Sequence, residues 1–270
     1  MTVAVESSAI RSGRISRGHG WLAAAARYFS TWHYLHTIEG NVTARAEILE
    51  VGCGYGNAFI PSRFRATGLD INFESARSVG SFYQKAVNAD ASRLPFRANS
   101  FDAVASSFML EHLPMRETQS VLDEIHKILR PGGVLICLCD LECDHPVQAS
   151  LRRFYPEVYQ QAFIEVPRHW GLRREDTWVE LLEHPGFEIT QWRLMSRFPL
   201  LDLAPFIYLA SATKAPEYLR RVGRLARWVN SLGRAANVWD LVVVASDDLC
   251  RLLLPRSWAY RLLFVARKRR

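Results

Sequence analysis

The sequence predicts a doubly wound α/β fold: a mostly parallel seven-stranded sheet covered by helices on both faces, with a helical insertion before the last strand. Short apolar runs alternate with stretches of helical spacing from residue 48 to residue 139. A turn holding Gly52, Gly54 and Gly56 follows the first run directly, and Asp70 and Asp90 stand where the second and third runs end. After Asp140 the rhythm changes, and a long helical stretch at 198–257 separates the sixth run from a closing one.

Residues 1–20 lack periodic apolar spacing and are expected to form an arm. A helix rich in alanine and aromatics is expected from Trp21 to Ile38, ended by Gly40 and Asn41. Strands are expected at Ile48 to Val51, Ala66 to Ile71, Lys85 to Ala89 and Phe101 to Ser106. Val121, Leu122, Ile125, Ile128 and Leu129 fall on one side of a helix over Arg116 to Leu129, stopped by Pro131-Gly132-Gly133; Val134 to Cys139 is the fifth strand. Residues 141–172 read as loop and helix, Arg174 to Leu182 as a helix, and Gly186-Phe187 opens a sixth strand to about Met195. Trp258 to Arg267 closes the chain as an alternating strand near the sheet edge. The domain reading is an arm at 1–20, a core at 21–197, an insertion at 198–257 and a last core strand with a basic tail at 258–270.

The 270 residues are 49% hydrophobic and 23% charged, which excludes wholesale disorder and collagen-like repetition. Five cysteines, with no signal-peptide pattern before them, point to a reducing compartment and a cytoplasmic protein. Cys137, Cys139, Cys143 and His145 match no common zinc spacing, so no metal is expected and small buried side chains are the reading. The formal charge is +7, and residues 197–270 hold 14 of the 34 basic residues against 5 of the 27 acidic ones. That basic quarter could attract nucleic acid, anionic lipid or an acidic ligand, or form a solvated surface.

In an open parallel sheet, ligands bind outside the carboxyl ends of the strands, near the point where strand order reverses. The three glycines let the backbone turn sharply there and let a ligand come close. Their spacing is one residue shorter than the dinucleotide-binding fingerprint. Asp70 can accept both hydroxyls of a ribose, and Asp90 lies within reach of an adenine amino group; each taken singly could instead cap a helix, but the pair at successive strand ends beside the glycine turn favours the ligand reading.

These residues carry a resemblance. Ile48-Leu49-Glu50-Val51-Gly52-Cys53-Gly54-Tyr55-Gly56 resembles motif I of class I S-adenosylmethionine-dependent methyltransferases, and Gly68-Leu69-Asp70-Ile71 resembles their second motif. Asp90 to Phe96, Ser100-Phe101-Asp102 and Leu129-Arg130-Pro131-Gly132-Gly133 resemble the third, fourth and fifth, in order over residues 46–140, most like the small-molecule (type 11-like) branch. The resemblance implies a Rossmann-like methyltransferase fold with S-adenosylmethionine as cofactor. Glu50 and the backbone of Gly52 and Gly54 would hold the methionyl amino and carboxylate groups, beside Gly56. Asp70 would take the ribose hydroxyls, Ile71 and Leu94 would sandwich the adenine, and Asp90 with the amide of Ala91 would meet its edge. The carbonyl of Ser106 or Ser107 would meet the methionyl amino group.

Transfer from a sulfonium needs alignment and exclusion of water more than functional groups. For a hydroxyl acceptor, His112 is the expected general base, with Glu111 second; capping or packing is its alternative role. His33, Tyr34 and His36 are expected to pack. The expected partner is a small-molecule acceptor, methylated at oxygen, under a cap formed by 198–257. There Leu219, Val222, Leu225, Ala226, Val229 and Leu232 share one side of a basic amphipathic helix expected over Glu217 to Ala236. Alternatives are peripheral membrane contact through 198–257 to reach a lipid-linked acceptor, and a non-catalytic protein that only holds the cofactor. Base-modifying relatives often carry Pro-Pro-Tyr after strand four; Ser106-Ser107-Phe108-Met109 stands here, so nucleic acid is not the expected acceptor.

Overall fold

The computed structural model describes residues 32–197, 203–232, 242–243 and 245–269. The arm expected at 1–20 and the beginning of the helix expected from Trp21 lie outside the described residues. In chain order the elements are α1 (Trp32–Asn41), β1 (Glu47–Val51), α2 (Phe59–Arg63), β2 (Arg65–Asp70), α3 (Phe73–Val79), β3 (Lys85–Asn88), β4 (Phe101–Ser107), α4 (Met115–Ile128), β5 (Leu129–Asp140), α5 (Pro146–Phe154), α6 (Pro156–Tyr159), α7 (Glu175–Glu183), β6 (Phe187–Met195), α8 (Glu217–Ser231) and β7 (Arg261–Lys268). They fall into two compact units: a sheet unit of 32–141, 173–193 and 261–270, and a helical unit that includes 142–172 and 194–260.

The sheet runs β3-β2-β1-β4-β5-β7-β6. β1 pairs in parallel with β2 and β4, β2 with β3, and β4 with β5; β7 runs antiparallel to β5. Successive strand residues point to opposite faces, so unbroken burial of Ile48, Leu49, Glu50 and Val51, and of Ala103 to Ser106, means both faces are covered. Strand order reverses between β1 and β4, placing the expected crevice at the ends of β1, β2 and β4.

Two boundaries differ from the sequence reading. β5 begins at Leu129 and runs through Pro131-Gly132-Gly133; Leu129 pairs with Phe101, and pairing resumes at Val134 with Ala103. The extra residues form a bulge, with Gly132 at φ +79° and its carbonyl accepting from Arg267 Nη1 at 2.9 Å. The closing strand is not alternating, because Leu262 to Ala266 are all buried. It lies inside the sheet, its seven pairs with β5 covering one side and β6 the other, and the edge is left to β6. Trp258 belongs to a short 3₁₀ turn that Pro255 starts.

The helical unit is not helical throughout. Ala204–Ser211 is a 3₁₀ helix, α8 follows, and 245–250 is helical again. Ala212 is extended, and Pro216, which has no N–H to give a preceding helix, begins α8 instead. Leu151, Val158, Tyr159 and Phe163 pack with Phe206, Ile207, Leu209 and Ala226 in one cluster, which is why 142–172 joins the late helices.

Candidate active site

The turn after β1 is built on three positive φ angles, +69° at Gly52, +52° at Gly54 and +79° at Gly56, which side chains resist. The three glycines are bare for different reasons. A Cβ on Gly52 would strike Met109, and one on Gly56 would strike Phe82, Val79 and Tyr83. A Cβ on Gly54 would meet nothing within 4 Å. Two of the glycines therefore admit the protein's own side chains, and the third opens on space.

The amides of this turn are already engaged. Gly52 and Cys53 donate to Leu69 O at 2.9 and 3.0 Å, and Gly54 donates to Asp70 Oδ2 at 2.8 Å. These bonds tie the turn to β2 through the N–H groups of Gly52, Cys53 and Gly54. Asp70 Oδ1 accepts from Asn72 N–H at 2.8 Å, so the carboxylate pins both the turn and the start of α3, and each oxygen keeps a second lone pair.

Asp90 follows β3 by two residues, is exposed, and accepts from Ser92 N–H at 2.8 Å. It caps the 3₁₀ turn Ala91–Arg93, as the capping alternative holds, and those Ser92 bonds keep its carboxyl below the usual range. Ala91 is half-buried beside it. Ile71 projects 73% exposed past the end of β2, while Leu94 is 5% exposed with its N–H on Glu124 Oε2. Of the two expected adenine walls, Ile71 presents an open face and Leu94 lies in the core.

Glu50, on β1, is 2% exposed. Burial pushes its carboxyl up to about 8; the Tyr83 hydroxyl, which donates to Glu50 Oε2, opposes this, and Asp70 adds to it. Tyr34 of α1 is buried nearby, its phenol held well above the ordinary range by burial and by Glu50.

Ser106 and Ser107 end β4, opposite Cys137 and Leu138. Ser106 is fully buried and its Oγ has no hydrogen bond; Ser107 is half-buried. Phe108 then takes φ +52° and donates to Leu138 O at 2.7 Å, which carries Met109 across Gly52 and leads into the 3₁₀ turn Leu110–His112. His112 is half-buried and its N–H donates to Met109 O. Glu111 is fully buried, its carboxyl held well above the ordinary range by burial and by Asp140. Cys137 and Cys139 are buried on β5.

Sequence reasoning missed two residues. Arg173 is buried and binds Leu113 O at 2.7 Å and Thr118 Oγ1 at 2.8 Å, with its guanidinium over Trp178; it anchors the loop that carries His112. Tyr83 joins Glu50 to the glycine turn. Both contacts span tens of residues, so no local pattern signals them.

Comparison with known proteins agrees with this geometry. Residues 49–137 match a family described as a methyltransferase domain. A demethylmenaquinone methyltransferase of Staphylococcus epidermidis is 34% identical over 137 residues, covering 46% of this chain and 53% of that protein. The chain thus spans about half the length of the curated relatives it matches. Among solved structures, a phosphoethanolamine N-methyltransferase 2 of Haemonchus contortus, in complex with phosphomonomethylethanolamine and S-adenosylhomocysteine, superposes with a TM-score of 0.55 at 16% identity, covering 90% of this chain and 54% of that one. The [4+2]-cyclase SpnF superposes at 0.54 with 16% identity, covering 88% and 80%. The family match at residues 49–137 falls on the segment that carries the ordered motifs and strands β1, β2, β3 and β4 of the sheet.

Proposed function

We propose that this chain is an S-adenosylmethionine-dependent methyltransferase that acts on a small-molecule acceptor, at oxygen. The observation that carries the reading is the open space above Gly54, bordered by Asp70 at the tip of β2 and backed by Glu50 on β1. Asp90 stands two residues past the end of β3, and carboxylates here suit a cation rather than a pyrophosphate.

S-adenosylmethionine would supply a methyl group already activated on sulfur. Glu50 and the carbonyl of Ser106 or Ser107 would receive the methionyl amino group, Asp70 the ribose hydroxyls, and Asp90 with the Ala91 amide the adenine edge, Ile71 lying against the ring. The chain's work is then alignment and exclusion of water. His112 would accept the proton of an acceptor hydroxyl. Residues 198–257 are proposed to cap the acceptor; they lie outside the family match.

The test is incorporation of label from methyl-tritiated S-adenosylmethionine into a panel holding a demethylated naphthoquinol, hydroxylated aromatics and bulk tRNA. The similarity to a demethylmenaquinone methyltransferase puts the naphthoquinol first. Label in a small molecule supports the proposal, and mass spectrometry of the product separates oxygen from carbon methylation. Label in tRNA alone overturns the acceptor class, and bound donor without transfer leaves the non-catalytic alternative.

A lipid-linked acceptor reached at a membrane surface is a second reading, favoured by α8. The helix buries Gly223 and Ala226, whereas Tyr218, Val222, Leu225, Trp228 and Leu232, at its end, are 41% to 58% exposed. Arg221 and Arg224 flank this stripe, sharing Glu217 as ion partner. Such an arrangement suits a helix lying in the headgroup region. No helix among the described residues is long and apolar enough to cross a membrane. Co-sedimentation with vesicles containing phosphatidylglycerol, weakened by Trp228→Glu, supports this reading, and absence of binding at low salt removes it.

A further inference from the structure

We propose that Tyr83 is a positioning residue of the donor site, clamping Glu50 and the turn at 52–56 into one unit and so setting the direction in which the carboxylate meets the donor's amino group. The inference rests on the reading that Glu50 receives that group.

Tyr83 stands in the loop between α3 and β3, 5% exposed, with its N–H on Val79 O at 2.8 Å. Its ring fills the space left by two absent side chains. Cε2 lies 3.0 Å from where a Cβ of Gly56 would be, and Cδ1 3.2 Å from where one of Gly68 would be. The phenol therefore reaches the turn only because β2 and the turn both present glycine to it. Its hydroxyl has one proton and can also accept: it donates to Glu50 Oε2 and receives Asn57 N–H at 3.1 Å. Carboxylate, ring and backbone at the far side of the turn thus share one oxygen in a buried setting, where such bonds hold geometry most firmly.

Among the described residues, the groups acting on Glu50 include Tyr83 from this loop, Asp70 on β2, Cys53 in the turn and Tyr34 on α1, none of them cationic. An incoming ammonium would be the first positive charge among them. Because burial holds the carboxyl up to about 8, a ligand that needs the carboxylate must release a proton below that pH. The Tyr83 bond lowers that threshold, so loss of the hydroxyl raises it.

The test is calorimetric titration from pH 6 to 9.5, in buffers of different ionisation enthalpy, with S-adenosylhomocysteine and with methylthioadenosine, which lacks the amino acid tail. For the wild-type chain, affinity for S-adenosylhomocysteine should rise with pH and level off near 8, with proton release below it, while methylthioadenosine stays flat. Tyr83→Phe keeps the ring and its packing; it should weaken S-adenosylhomocysteine about tenfold and move the break upward by about one pH unit, leaving methylthioadenosine unchanged. Glu50→Gln should give a flat profile for both. A Tyr83→Phe protein with wild-type affinity and an unmoved break overturns the clamp. Binding of neither nucleoside by the wild-type chain sinks the donor-site reading itself, a result distinguishable from failure of the clamp.

Discussion

Asp70 and Glu50 show how one residue can serve both fold and chemistry. Asp70 pins two backbone amides, so Asp70→Ala should lower thermal stability as well as weaken donor binding by about 1–3 kcal/mol, and calorimetry beside thermal denaturation separates the two. Glu50 makes a costly buried acid. Its native carboxyl titrates near 8 and its ordinary value is 4.5, so the native state holds a proton that the unfolded chain has lost in that interval. Glu50's contribution to stability therefore falls as pH rises from about 4.5 to 8. Glu50→Gln should be more stable than the wild type at pH 8, read as a higher Tm, while binding the donor less well. His112 faces a different trial: His112→Ala should leave donor affinity intact and lower turnover roughly a hundredfold. Unchanged turnover would return it to a packing role. The carboxylates and glycines were legible in the sequence because their roles are tied to strand ends, whereas Tyr83 and Arg173 act through contacts 33 and 55 or more residues away.

At the scale of elements, apolar runs located β1, β2, β4 and β5 because burial on both faces writes itself into consecutive residues, while β3 and β6 are largely exposed. What it could not locate was the place of β7, since pairing with β5 joins residues more than 120 apart in the chain. The amphipathic spacing of α8 was legible too, yet only part of the expected apolar side packs: Ala226 joins the buried cluster and Leu219 packs against it, while Val222, Leu225 and Leu232 stay exposed. Smallness decided it: a Cβ on Gly223 would lie 2.1 Å from Ala210 N, so the helix rests on its smallest residues against the 3₁₀ helix Ala204–Ser211. Gly223→Ala should force the two helices apart and destabilise the helical unit by about 1–3 kcal/mol, seen as faster limited proteolysis within 203–232.

For the whole molecule, the motifs describe the sheet unit closely and the helical unit hardly at all. The family match stops at residue 137, and the later segments are defined by their packing rather than by pattern. The fold by itself does not select a reaction, as the cyclase among the structural neighbours illustrates. The proposed donor site lies at a bare turn beside Asp70 and Glu50. Gly54→Ala tests it most directly, because the added methyl enters the space proposed for the donor and costs only about 1–2 kcal/mol of backbone strain at φ +52°. Gly40→Ala, at a position equally free of contacts on α1, serves as control. Titration with S-adenosylmethionine should show a loss of affinity of tenfold or more for Gly54→Ala, with its cooperative unfolding retained, and none for Gly40→Ala. Undiminished binding by Gly54→Ala would contradict the account.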